Sequence, residues 1–176
     1  MRLFTAIPLT EESKKLVTEI TRGRLPVPYI NTTNLHITLN FFGELDDAQV
    51  DKVKKIFDSF AKGQERFLIE FDQLVKSNDQ IHLTIKANPR LTQLRNLLHK
   101  QFELQGLKLD SRAYYPHVKL TNLHFDKVMN PERTLDNFPH EELQKLNFTA
   151  EQIILYESKL LLHHPKHIPI IELSLV

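Results

Sequence analysis

The stretch NLHITLNFFGE, residues 34–44, alternates Leu35, Ile37, Leu39 and Phe41 with His36, Thr38 and Asn40. A period of two is the signature of a strand, so one face is expected to be buried and the other polar. Successive same-face residues in a strand lie about 7 Å apart, which sets His36 and Thr38 side by side. Either the polar face simply meets water, or His36 and Thr38 line a cleft. A cleft needs a second wall, and the rest of the chain is the place to look for it.

The order around this stretch occurs twice. RLFTAIP, residues 2–8, reads as a strand. TEESKKLVTEITR follows, with Thr10 as helix cap, an acidic first turn, and Leu16, Val17 and Ile20 on one face. A turn with Pro26 and Pro28 leads into the strand around His36. A helix carrying Val50, Val53, Ile56, Phe57 and Phe60 comes next, then strands over 66–75 and 80–87 about the turn KSND. The second round starts with IHLTIKA. It continues with a helix capped by Asn88, with Pro89 at its first position, Leu91, Leu94, Leu98 and Phe102 as its apolar stripe, and Gly106 just beyond its end. AYYPHVKLTN then reads as a strand that also opens on a histidine, His117. Ile7 and His36 are separated about as far as Ile85 and His117, so the halves look like a duplication. The tail adds a short helix near 139–146 and two strands, FTAEQIILYES and HIPIIELSLV, with HHPKH as the turn between them. These elements predict one α+β domain over 1–176. It is bilobal, with two pseudo-symmetric antiparallel sheets, helices packed outside, and a central cleft that receives one histidine motif per lobe.

Composition narrows the classes of function. The 176 residues are 41% hydrophobic, enough for a packed core, and carry no cysteine for a disulfide framework or thiolate metal site. No window is long and apolar enough to suggest a membrane helix, and the amino-terminal segment does not read as a signal peptide. A cytoplasmic protein without membrane or evident protein partner, acting as a monomer, is the expectation. The formal charge of +1 argues against a broad electrostatic grip on long duplex nucleic acid, but leaves a small phosphate ligand or strand end open.

Of the nine histidines, three open a histidine-apolar-polar triplet: His36, His82 and His117. His82 keeps a threonine two residues on, but by position it opens the first strand of the second half, matching LFTAI and not HITLN. It is either an exposed strand residue or a substrate contact. His163, His164 and His167 sit in what reads as a solvated turn, and no spacing here enforces a metal site. His99, His124 and His140 have no assigned chemistry.

RLFTAIPL, NLHITLNFFGEL, YYPHVKL and IILYESKL, in this order, resemble the two-histidine (2H) phosphoesterase superfamily, in its RNA 2′,3′-cyclic phosphodiesterase branch, also called 2′-5′ RNA ligase. The resemblance covers nearly the whole chain. It implies two lobes that each bring a histidine-apolar-threonine/serine strand to a shared cleft, with no metal and no cofactor. The implied substrates are RNA ends or small cyclic nucleotides, opened at a 2′,3′-cyclic phosphate to a 2′-phosphate, with 2′-5′ joining as the reverse reaction. Carried over, His36 and Thr38 match the first motif, and His117 matches the second-motif histidine. Lys119 stands where threonine or serine is expected. Asn40 and Asn122 stand where a basic residue is frequent, and Thr121 is the next hydroxyl on the His117 face.

Hydrolysis of a cyclic phosphodiester takes one proton from water and gives one to the departing ribose oxygen, which suits two imidazoles near pH 7. Thr38 can hold a non-bridging oxygen. Lys119 either brings a charge to the phosphate or snorkels at the rim. If it contacts His117 it lowers that histidine's pKa, which would make His117 the base and His36 the acid. Tyr114 and Tyr115 either stack a base or belong to the core. The competing class is a nucleotide- or RNA-end-binding module that has lost turnover with its altered second motif.

Overall fold

A computed structural model describes residues 1–22, 24–25, 32–60, 63–110, 112–122, 135, 138–161 and 165–176. The expected Pro26 and Pro28 turn, together with His124, His163 and His164, lies outside these described residues.

The first round is β1 (Arg2–Pro8), α1 (Glu11–Thr21) and β2 (His36–Glu44); the second is β5 (Gln80–Ile85), α3 (Pro89–Leu104) and β6 (His117–Asn122). Between them lie α2 (Asp47–Phe60), β3 (Phe67–Ile69) and β4 (Phe71–Ser77). The end of the chain supplies α4 (His140–Gln144), β7 (Phe148–Ala150), β8 (Gln152–Leu160) and β9 (Pro165–Ser174). Thr10 caps α1 by accepting from the Ser13 amide at 3.1 Å, and Asn88 caps α3 by accepting from the Leu91 amide at 3.0 Å. Each cap satisfies a backbone donor that the first turn would leave orphaned. At α2, Asp46 and Gln49 exchange backbone and side-chain bonds of 2.8 and 3.1 Å, a reciprocal cap. Gly106, at φ +76°, turns the chain out of α3 in a left-handed conformation that suits glycine.

Seven strands form one sheet in the order β4-β5-β6-β2-β1-β8-β9, antiparallel at every pairing. Its centre carries the duplication. β2 and β6 stand next to each other, β1 and β5 flank them, and β8 and β4 come outside those. The two halves meet at one bridge, Ile37 opposite Val118, both 0% exposed. β4-β5-β6 and β2-β1-β8-β9 are therefore two sheets sewn edge to edge, which is how the two lobes of the sequence reading share a centre. The apolar side of this sheet packs on the helices. Phe42 meets Phe102 of α3 edge-on at 4.7 Å, and Phe57 of α2 and Leu98 of α3 are fully buried.

Two expected strands are each divided. The segment 66–75 breaks at Glu70 and FTAEQIILYES breaks at Glu151. The leading pieces, β3 and β7, pair with each other as a separate two-stranded sheet, Leu68 opposite Thr149. Alternation within β2 also shifts. Two bulges against β1, between Leu3 and Phe4 and between Thr5 and Ala6, place extra residues on β2. Leu39 and Asn40 are consequently both buried, and Phe41 comes out 37% exposed, with the Arg2 guanidinium 4.9 Å above its ring.

Candidate active site

The bridge between Ile37 and Val118 fixes what lies on the other side of the sheet. Both side chains enter the core, so alternation sends His36 and Thr38 of β2, and His117 and Lys119 of β6, to the opposite face. Diagonal neighbours across such a pair are about 7–8 Å apart. Positive charge at His117 and Lys119 lowers the proton affinity of His36, as expected for groups sharing one face.

The two histidines are held alike. The Nδ1 of His36 lies 2.6 Å from the carbonyl oxygen of Asn34, and the Nδ1 of His117 lies 2.8 Å from that of Tyr115. A carbonyl only accepts, so Nδ1 carries the proton in both rings and Nε2 is left for chemistry. Each acceptor sits two residues upstream of its histidine, which is one more trace of the duplication. The Tyr114 hydroxyl donates to the carbonyl of Thr38 at 3.1 Å, tying the approach to β6 onto β2. Tyr114 is therefore a structural tie, whereas Tyr115 is 55% exposed, its ring centre 5.8 Å from that of His117.

Two further histidines join the site: His82, for which the sequence left a substrate contact open, and His167, which it placed in a turn. His82 is no exposed strand residue: it is 6% exposed and stacks on His117 with ring centres 4.0 Å apart and planes 17° from parallel. His167 belongs to β9 and not to a turn, and meets His36 edge-on at 5.3 Å. Phe4 and Tyr156 complete the surroundings of His36, with Phe4 4.9 Å from the His36 ring and stacked on Tyr156 at 5.2 Å. Strand order accounts for both additions. β5 lies beside β6, and the β8–β9 hairpin folds against β1, but neither adjacency is visible in a local pattern.

This packing sets the charge states. Burial pushes His36 down to about 4, with smaller contributions from His167, Lys119 and His117, against an opposing effect of the Asn34 carbonyl. His82 is pushed to about 4 by burial and then by His117 and Lys119, and His167 to about 4 by burial and then by Lys119. Near pH 7 these three rings are neutral. Lys119 is exposed among them, and no carboxylate among the described residues pairs with it.

The remaining expected site residues separate. Asn40 is 3% exposed and turns towards α3, where its Oδ1 lies 2.9 Å from Nδ1 of His99, so the bulge removes it from the histidine face. The Thr121 hydroxyl donates to the Asn122 carbonyl at 3.2 Å, beyond a further bulge at Ile81 and His82. Among the described residues, no three His, Cys, Asp or Glu side chains are grouped as a metal site. No helix there is long and apolar enough to cross a membrane.

A family model described as the 2′-5′ RNA ligase superfamily matches residues 9–160. The chain belongs to that superfamily, the 2H phosphoesterases. A curated relative, the RNA 2′,3′-cyclic phosphodiesterase of Bacillus subtilis (strain 168), is 28% identical over 97 residues. That match spans 52% of this chain and 53% of the relative. Two solved structures share the fold. Escherichia coli LigT complexed with 3′-AMP has a TM-score of 0.76 at 21% identity, covering 99% of this chain and 97% of that one. TT0787 of Thermus thermophilus has a TM-score of 0.73 at 22% identity, covering 99% and 98%. The α+β architecture expected from the sequence is thus the architecture of the superfamily, with the two sheets joined at their motif strands.

Proposed function

We propose that this 2H phosphoesterase opens 2′,3′-cyclic phosphate ends of RNA or nucleotides to a 2′-phosphate, by metal-independent acid-base catalysis at His36 and His117. The matching tautomer locks on two neighbouring strands carry the reading: both rings keep Nδ1 occupied and Nε2 available on one face. The neutral state of His36 favours it as the base, the reverse of the split expected from a lysine acting on His117. Nε2 of His36 takes a proton from water as its oxygen bonds to phosphorus. The bond from phosphorus to the ribose 3′ oxygen breaks, and that oxygen receives the proton carried on Nε2 of His117. Imidazoles on opposite sides of phosphorus suit in-line displacement. Lys119 holds a non-bridging oxygen as charge develops, Thr38 holds another, and Tyr115 offers its exposed ring to a base. The curated relative's name and the 3′-AMP in the LigT structure support a nucleotide end as substrate.

The test is incubation of 2′,3′-cyclic AMP with the protein in excess chelator, followed by phosphorus NMR, beside a calorimetric binding measurement. The 2′-monophosphate is the expected product. Binding without turnover would make the chain a nucleotide-binding module, and turnover that returns only with a divalent ion would overturn the metal-independent reaction.

A further inference from the structure

The His82 ring is an expensive way to fill a strand position. Its Nε2 lies 2.8 Å from Oε1 of Gln80, while its Nδ1 is buried with no partner among the described residues. An unpaired buried polar atom destabilises the fold, and a leucine or phenylalanine there would avoid that loss. Residues that break a local rule in this way concentrate at functional sites. The broken rule coincides here with the tightest ring contact on the face, the 4.0 Å stack on His117.

Among the described residues His117 has one hydrogen bond, from Nδ1 to the Tyr115 carbonyl, and a single bond leaves the ring free to tilt about it. A parallel ring against its face removes that freedom. The first lobe repeats the device, since His36 has its own backbone acceptor and ring contacts from Phe4 and His167. Gln80 completes the arrangement. Its amide oxygen only accepts, so Nε2 of His82 donates and the supporting ring is fixed in one tautomer.

We propose that His82, locked by Gln80, is a positioning residue that holds the plane of His117 and keeps its Nε2 aimed over the shared face. The effect on turnover rests on the function proposed above, whereas the orientation of His117 does not. The other charged or titratable groups acting on the pair, among the described residues, are Lys119 on β6 and His36 on β2.

Two variants separate the ring from simple core filling: His82→Phe keeps a flat ring, and His82→Leu fills the space without one. Turnover of 2′,3′-cyclic AMP should fall about tenfold in kcat for His82→Leu, with KM within about twofold, and stay within about threefold of wild type for His82→Phe. The Cε1–H resonance of His117, assigned by its loss in His117→Ala, gives a reading that needs no activity. Its chemical shift at fixed pH should move downfield in His82→Leu, which removes the ring current of the stack, and hold in His82→Phe. Gln80→Ala, which frees the supporting ring without emptying the core, should move it the same way by less. If wild type fails to turn over, the function is lost and the resonance still decides the positioning. A His117 resonance in His82→Leu that superposes on wild type, or a His82→Phe as altered as His82→Leu, would overturn it.

Discussion

Lys119 stands where the resemblance to the superfamily leads one to expect threonine or serine in the second motif, and its surroundings give the change a consequence. Three histidine rings around it are held neutral by burial, so the lysine is a standing positive charge beside them. A charge-assisted bond from an ammonium to a phosphate oxygen is worth roughly 1.5–3 kcal/mol. Lys119→Ala should therefore weaken binding of a nucleotide monophosphate about ten- to a hundredfold. Lys119→Thr, which restores the usual hydroxyl, should keep more affinity than alanine. Equal affinity for wild type and both variants, measured by calorimetry, would reduce Lys119 to a rim residue. Removing the charge should also raise the pKa of His36, because the lysine opposes protonation there.

The strand pair β2 and β6 is the element on which the site depends, and a single bridge joins it. Ile37 is fully buried at that bridge, and a buried isoleucine cut to alanine loses about 2–5 kcal/mol. Ile37→Ala should lower the urea midpoint accordingly and, by loosening the join, reduce turnover more than an equally destabilising change in α2, such as Val53→Ala. Equal turnover in the two variants at matched stability would deny the bridge its role. Both motif strands were legible in the sequence because their alternation of apolar and polar residues is local. So were the helix caps at Thr10 and Asn88, which need only three residues to declare themselves. Phe41 was misplaced because a bulge depends on the partner strand, here β1, and leaves no mark in β2 alone. The divisions at Glu70 and Glu151 escaped notice for the same reason, since β3 and β7 exist by pairing with each other. His82 and His167 were hidden in a further sense. Their contacts join strands that are neighbours in the sheet, and a triplet pattern or a histidine-rich turn says nothing of sheet order.

For the whole molecule, three imidazoles, His82 buried and His36 and His167 half-buried, couple folding to pH. His36, His82 and His167 are each pushed from an ordinary value near 6.5 to about 4. Unfolding releases the rings to water, so between these two values the unfolded chain binds more protons than the folded one. Stability is then complete above about pH 6.5 and is lost as pH falls towards 4, by at most about 1.4 kcal/mol per pH unit for each ring. Urea midpoints should drop steadily between pH 7 and pH 5, above the range where most carboxylates titrate. His82→Phe combined with His167→Phe should flatten that slope. A wild-type midpoint unchanged over this interval would mean that the rings are hydrated in the folded protein.

The central claim is that two histidines, one from each half of a duplicated chain, share one reaction. It is tested most directly by turnover of 2′,3′-cyclic AMP in chelator by His36→Ala, His117→Ala and the double variant, with folding verified by urea midpoint. Each single change should lower kcat at least about a hundredfold, the usual scale for a general acid or base. The double change should cost far less than the product of the two, since either loss already breaks the proton circuit. Turnover within about tenfold of wild type in either single variant would contradict the account.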